Sequence, residues 1–277
     1  MTLFARNAFF KAGIILAAVS LLAAVAATFI VMPDYPLMDT ENVRRPAEIL
    51  QSFFSLFFRT DYYAVHIALG AAVLYSLAAI ILIFYYFEQT QTPEILFIAF
   101  FSVSFLFETA RLVIPLHMIR DIPGFYLLVA SRVLLFGRYF GIISIFAASV
   151  CAAGLEIQKT HNIILTITAV TLVITLGVPI DTQSWDSSFS MIDGYTSLFR
   201  LIEAVIFLST AASFFIAVKV RGSKEYAFVA IGALLALAGR NILLSADNWA
   251  SPGPGIVLLS VGTWFICSRL HRIYLWL

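Results

Sequence analysis

Residues 63–87 read YAVHIALGAAVLYSLAAIILIFYYF, a run without one Asp, Glu, Lys or Arg. Wound as an α-helix it is about 37 Å long at ~1.5 Å per residue. A helix needs about 20 mostly apolar residues to cross the hydrocarbon of a bilayer, so this run is read as a membrane span. Seven further segments qualify by the same test: 12–32, 94–118, 125–150, 162–180, 197–218, 226–246 and 255–275. The expected architecture is an all-α, polytopic membrane helix bundle of eight spans, a single integral membrane domain over residues 1–277. Composition agrees. The chain is 61% hydrophobic and 12% charged, against roughly 45–50% apolar and ~25% charged in an ordinary soluble domain.

The joints between spans carry breakers. Thr92-Pro93-Glu94 reads as an N-cap, a proline at the first helical position and an acid in the first turn. Ile122-Pro123-Gly124 and the run Ser251-Pro252-Gly253-Pro254-Gly255 read as tight turns. The first span follows Arg6 and Lys11 like a signal peptide. Its apolar stretch of about 20 residues exceeds the ~7–15 of a signal's apolar region, so a retained anchor is expected.

Alternation assigns the loops to two sides. The N-terminal side collects Arg6, Lys11, Lys159, Lys219, Arg221, Lys224, Arg269 and Arg272, and the opposite side only Arg44, Arg45, Arg59 and Arg120. Positive residues stay cytoplasmic, so both termini are expected inside. Short loops with this bias suit a bacterial inner membrane. In the first outer loop, Ile49, Leu50, Phe53, Phe54 and Phe57 share one helical face. A short amphipathic helix over 45–59, lying in the interface or packed as a lid, is expected there. The loop from Asp181 to Asp193, with three acids and no Lys or Arg, is expected to be solvated.

Charges inside spans are costly and usually face the bundle interior, which makes each one a functional candidate. The third span carries Glu108 and Arg111, the fourth Arg132 and Arg138, the sixth Arg200 and Glu203, and the seventh Arg240, with Asp247 at its end. With the orientation above, all lie in the outer half or at the midplane. Glu108 with Arg111, and Arg200 with Glu203, are three apart and share a face. Arg240 and Asp247 are seven apart, also on one face. Arg132 and Arg138 have no acid on their own helix. Five arginines stand against two buried acids, so the interior of the outer half is expected to be net positive. One reading is an outward-facing cavity in which arginines, with their planar fork of donors, hold an anion. The other is that the arginines pair across helices, bond backbone carbonyls or snorkel to headgroups. Gly137 and Gly141 form a small-xxx-small step that permits close helix approach.

Several chemistries are excluded or unsupported. Lys11, Lys159, Lys219 and Lys224 all lie at span ends or in loops, so no lysine is placed for a retinal Schiff base. No His-Glu-x-x-His, Gly-x-Ser-x-Gly or phosphate-gripping glycine loop is present. Cys151 and Cys267 read as buried structural thiols, and no cofactor is expected. A net charge of +1 without a basic cluster leaves no footprint for nucleic acid. No soluble domain fits in the loops, so any catalysis would sit in the bundle, in its loops or in another chain, and without a clear nucleophile or metal set an enzyme is not the expectation.

The expectation that follows is a receptor or sensor-type module. It binds a small anionic or amphiphilic ligand through Arg138, Arg240 and Arg111, with Glu108, Arg132, Arg200 and Glu203 completing the site. It acts through a partner protein at the cytoplasmic face or in the membrane. An anion transporter or channel is the alternative, with Pro115 and Pro179 as candidate helix interruptions. A lipid-modifying enzyme and a scaffold subunit of a membrane complex stand behind it. Membrane lipids are expected partners in every case.

Overall fold

A computed structural model describes residues 3–34, 57–88, 92–120, 122–154 and 160–275. The amphipathic helix expected over 45–59 lies outside them except for its last three residues. The helices are α1 (Leu3–Val31), α2 (Tyr62–Phe87), α3 (Pro93–Ser104), α4 (Val113–Arg120), α5 (Gly124–Ala152), α6 (Thr160–Gly177), α7 (Thr196–Arg221), α8 (Glu225–Leu244) and α9 (Pro252–Leu275). With α3 and α4 joined in one rod, eight helical segments among the described residues are long and apolar enough to cross a membrane. The chain is a multi-pass membrane protein. Its lipid-facing residues would be untenable in water: Leu22, Phe29, Val173 and Leu208 are each about seven-tenths exposed.

Expected and observed boundaries agree to within three residues except at the first helix, which begins at Leu3 instead of residue 12. The extra turns are held by Arg6. Its guanidinium is buried and donates to the carbonyls of Phe87 (2.9 Å) and Glu88 (2.6 Å) at the C-terminus of α2. Those carbonyls have no intrahelical partner, and a cation there also answers the negative end of the helix dipole.

The third span is the centre of the bundle, with 78% of its most apolar stretch buried, against 17% for α1 and for α7. It is not one continuous α-helix. Between α3 and α4, residues Phe105–Leu112 wind as a 3₁₀-helix, a length well beyond the usual three or four residues. Pro115 supplies a reason. It lacks the N–H that would bond the carbonyl of Arg111, and its ring crowds that carbonyl. At three residues per turn, side chains at i and i+3 eclipse. Phe105, Glu108 and Arg111, all buried, therefore form one ridge along the rod.

Helix α5 lies with almost no separation against the neighbouring row, Ser104 and Phe107. A Cβ at Gly137 would stand 2.7 Å from Cγ of Phe107, and one at Gly141 would meet Ser104. The small-xxx-small step thus sets the distance between α5 and the third span. Gly137→Leu is expected to push α5 off the third span and to cost at least about 1–3 kcal/mol, read as a fall in melting temperature in detergent. Gly70→Leu is the control, since open space surrounds that position, and it should melt with the wild type. Equal melting of both variants would remove Gly137 from this role. A tighter contact joins α8 to α9, where a Cβ at Gly239 would run into the backbone of Gly255 and Leu258.

Between α6 and α7 the chain forms an antiparallel hairpin, β1 (Ile180–Trp185) and β2 (Met191–Asp193). Trp185 pairs with Met191, and a bulge interrupts the register between Asp181 and Trp185. The hairpin is only partly solvated: Asp181 and Asp186 are exposed, but Ser188, Phe189 and Met191 are buried, because the tip folds down onto the ends of the helices instead of away from them.

Candidate functional site

The hairpin end of the bundle gathers most of the predicted charges around one carboxylate. Glu108 is 2% exposed. It accepts from Nε and Nη2 of Arg138 at 3.0 and 3.1 Å and faces Nη1 of Arg111 at 3.4 Å. The first pair is a two-pronged clasp of the kind a guanidinium makes with a carboxylate. The second follows from the eclipsed 3₁₀ spacing. Gly137 and Gly141 allow Arg138 to approach, because they bring α5 onto the segment that carries Glu108.

Arg111 is itself 2% exposed. It donates to the carbonyl of Leu244, at the last turn of α8, at 3.2 Å and to the carbonyl of Ser188 in the hairpin tip. Its buried Nε has no acceptor among the described residues. Arg138 reaches the same tip through Oγ of Ser190, at 3.1 Å, and its side chain stays 20% exposed. Arg240, 2% exposed, donates to the carbonyl of Arg138 at 2.8 Å and to Oδ1 of Asn241 at 3.0 Å. Arg111, Arg138, Arg240 and Glu108 are thus one hydrogen-bonded cluster.

The tip is locked in from its other side. Phe189 stacks on Tyr62 with ring centroids 5.4 Å apart and meets His66 edge-on at 5.6 Å. It holds a left-handed backbone (φ 54°), unfavourable by roughly 1–2 kcal/mol for a residue with a Cβ and offset by the burial of its ring. Oγ of Ser187 donates to Asp247 at 2.9 Å. Asp247 in turn anchors the entry to α2: its carbonyl receives the amide of Asp61 at 2.8 Å, and Trp249 donates to Asp61 at 2.7 Å.

Three predicted relations are corrected. Arg132 does not join the cluster. It ends α6, donating to the carbonyls of Thr175 and Val178, as Arg6 ends α2. Arg200 and Glu203 form no ion pair among the described residues. Arg200 is exposed on the first turns of α7, and Glu203 is half-buried one turn further along it. Asp247 does not pair with Arg240, because α8 stops at Leu244 and the shared face ends with it.

These contacts revise the charge count: Arg111, Arg138 and Arg240 share one hydrogen-bonded cluster with a single buried carboxylate, Glu108, while Asp186 of the hairpin is exposed and accepts from its neighbour Ser187.

The opposite end carries a polar group that the sequence reading placed only as a helix cap. Glu94 is 1% and Thr92 6% exposed. Thr92 occupies the N-cap position without bonding the helix, and both Thr92 Oγ1 and Glu94 Oε2 lack hydrogen-bond partners among the described residues. Between this group and the arginine cluster stands an aromatic block of Phe97, Phe100, Phe101 and Phe105, all buried.

Arg6, the hairpin serines and Phe189 were not singled out as site residues from sequence. The one local sign was the three-acid loop free of Lys and Arg opposite a net-positive interior. No family model matches the chain, and no curated protein matches it.

Proposed function

We propose that the protein is a multi-pass receptor or sensor-type module with both termini cytoplasmic, in a bacterial inner membrane. Its outward-facing arginine cluster binds a small anion, or the anionic head of an amphiphile, in exchange for the hairpin tip. The carrying observation is that the tip supplies the ligand-like groups. The Ser188 carbonyl meets Arg111, and Ser190 Oγ meets Arg138. Lifting the tip frees those donors, and three guanidinium groups clustered with one buried carboxylate would be answered by one carboxylate or phosphate group. Arg111 Nε, buried and lacking an acceptor among the described residues, is the remaining donor for it.

Exchange of tip for ligand is a two-state device, and a ligand shifts such an equilibrium by its differential affinity for the two states. The movement would reach the third span directly, since the 3₁₀ ridge carries Glu108 and Arg111. A cytoplasmic or membrane partner would read the change. The aromatic block supports a sensor over a conduit, because it closes the path between the two polar ends.

One observation favours the transporter alternative: the third span changes helix type at its charged residues, and transporters place sites at interrupted helices. Flux of radiolabelled phosphate into proteoliposomes separates the two, with no uptake above empty vesicles expected for a sensor.

The binding proposal is tested by native mass spectrometry in mild detergent. The wild type is expected to carry one discrete anionic adduct. Arg138→Gln, chosen because that side chain is partly exposed, breaks the clasp on Glu108 and should melt below the wild type, and it should lose the adduct at a temperature where it is still folded. A bare mass in both, or the same lipid ladder in both, would reject the binding site and favour a scaffold role.

A further inference from the structure

The groups that the hairpin tip places against the helices describe the molecule that would replace it. The tip meets the arginine cluster at two points, the Ser188 carbonyl on Arg111 and Ser190 Oγ on Arg138. Phe189 stands between them in the chain, so releasing both contacts draws its ring out as well. That ring is buried. It lies nearly parallel to Tyr62, at 11°, and almost perpendicular to His66, at 84°, with Val65 and Ile114 in the same cluster. A stacked neighbour and an edge-on neighbour together favour a flat ring over a flexible chain. An anion that displaced the tip without filling this slot would leave buried apolar side chains without a partner.

The polar end is equally specific. Arg111 directs Nη1 to Glu108 and to the carbonyl of Leu244, and Nη2 to the carbonyl of Ser188. In the planar guanidinium Nε–H and one Nη2–H point the same way, as they do where Arg138 grips Glu108. A carbonyl offers that edge one oxygen, and the buried Nε has no acceptor among the described residues. A carboxylate offers two oxygens and would satisfy both donors. The covalent path from the Ser188 carbonyl carbon to the Phe189 ring runs through N, Cα and Cβ of Phe189. A ligand that copies the tip therefore joins a carboxylate to an aromatic ring by a chain of that length.

We propose that the outward-facing site takes an arylalkanoate, whose carboxylate replaces the Ser188 carbonyl on Arg111 and whose ring replaces Phe189 beside Tyr62 and His66. The assignment rests on the exchange of tip for anion proposed above and names the chemical class that such an exchange favours.

The probe is 4-phenylbutanoate, whose methylene chain matches the path through Phe189. Butanoate lacks the ring, octanoate replaces it with a flexible chain, and 4-phenylbutan-1-ol lacks the charge. Isothermal titration calorimetry uses the full-length protein in mild detergent, with a protein-free detergent blank. Binding of 4-phenylbutanoate is expected to be about tenfold or more tighter than that of butanoate and several-fold tighter than that of octanoate, with no binding of the alcohol. At saturation, amide exchange over 180–193 should accelerate, because the ligand occupies the place of the tip. Equal or tighter binding of butanoate or octanoate, with faster hairpin exchange, would keep the exchange of tip for anion and overturn the arylalkanoate. Binding of 4-phenylbutanoate that leaves hairpin exchange unchanged would put it elsewhere and overturn the proposal. If no carboxylate binds, the arylalkanoate falls; if native mass spectrometry also finds no anionic adduct, the anion reading falls with it.

Discussion

Glu108→Ala is expected to destabilise the protein by about 3–5 kcal/mol, the usual consequence of removing one partner from a buried ion pair. The loss is large because two guanidinium groups depend on that carboxylate, and Arg111 is 2% exposed with little access to water. Glu108→Gln keeps the shape and one acceptor oxygen, so its loss should be smaller. The informative variant is Glu108→Ala/Arg138→Ala. If the clasp at 3.0 and 3.1 Å is the dominant interaction, deleting both partners should cost no more than deleting Glu108 alone. Melting temperatures in detergent provide the cycle. Strictly additive losses would mean that the two side chains are not coupled, and the reading of the cluster would fail.

Phe189→Ala is expected to have the second-largest effect, confined to the hairpin. Truncating a buried phenylalanine usually costs about 3–5 kcal/mol. Here much of the loss falls on the docking of the tip, because the Phe189 ring stacks on Tyr62 and meets His66 and packs in one cluster with Val31, Val65, Ile114 and Leu127 of the helices as well as with Met191 of its own hairpin. A loss of 3 kcal/mol corresponds to roughly a hundredfold rise in the open population. Amide exchange should accelerate over 180–193 while the amides of α5 and α8 keep their protection. The same variant bears on the proposed function: an open tip leaves Arg111 and Arg138 without their hairpin partners, so anion affinity should rise. Unchanged protection of the hairpin would sink the idea that Phe189 is its latch. Faster exchange without tighter anion binding would keep the latch and reject the exchange of tip for ligand.

What was legible in advance follows a physical division. The eight spans were readable because crossing hydrocarbon imposes a local demand, about 20 apolar residues in a row, that each segment meets or fails by itself. The Glu108–Arg111 pair was readable because three residues along any helix return to nearly the same face. The Gly137-to-Gly141 step announced a close approach for the same local reason, though not that its neighbours would be Phe107 and Ser104. The charge tally went astray where it needed geometry. Counting five arginines against two acids treated all five as members of one cavity, but Arg132 spends its donors on the end of α6 and Arg200 faces outward.

The sequence by itself determined that this is a multi-span membrane protein, where its long apolar helices run, and which residues carry charge within them. Only the tertiary structure decided what those charges meet. Arg6, Arg111 and Arg132 each close the last turn of a different helix, and Arg138 finds its carboxylate thirty residues away. Those pairings depend on where each helix stops, how its neighbours are staggered, and where a proline converts a central span to a 3₁₀ winding. None of these is a property of a single segment. A guanidinium in a low-dielectric interior must end on some acceptor, and which acceptor it reaches is fixed by packing.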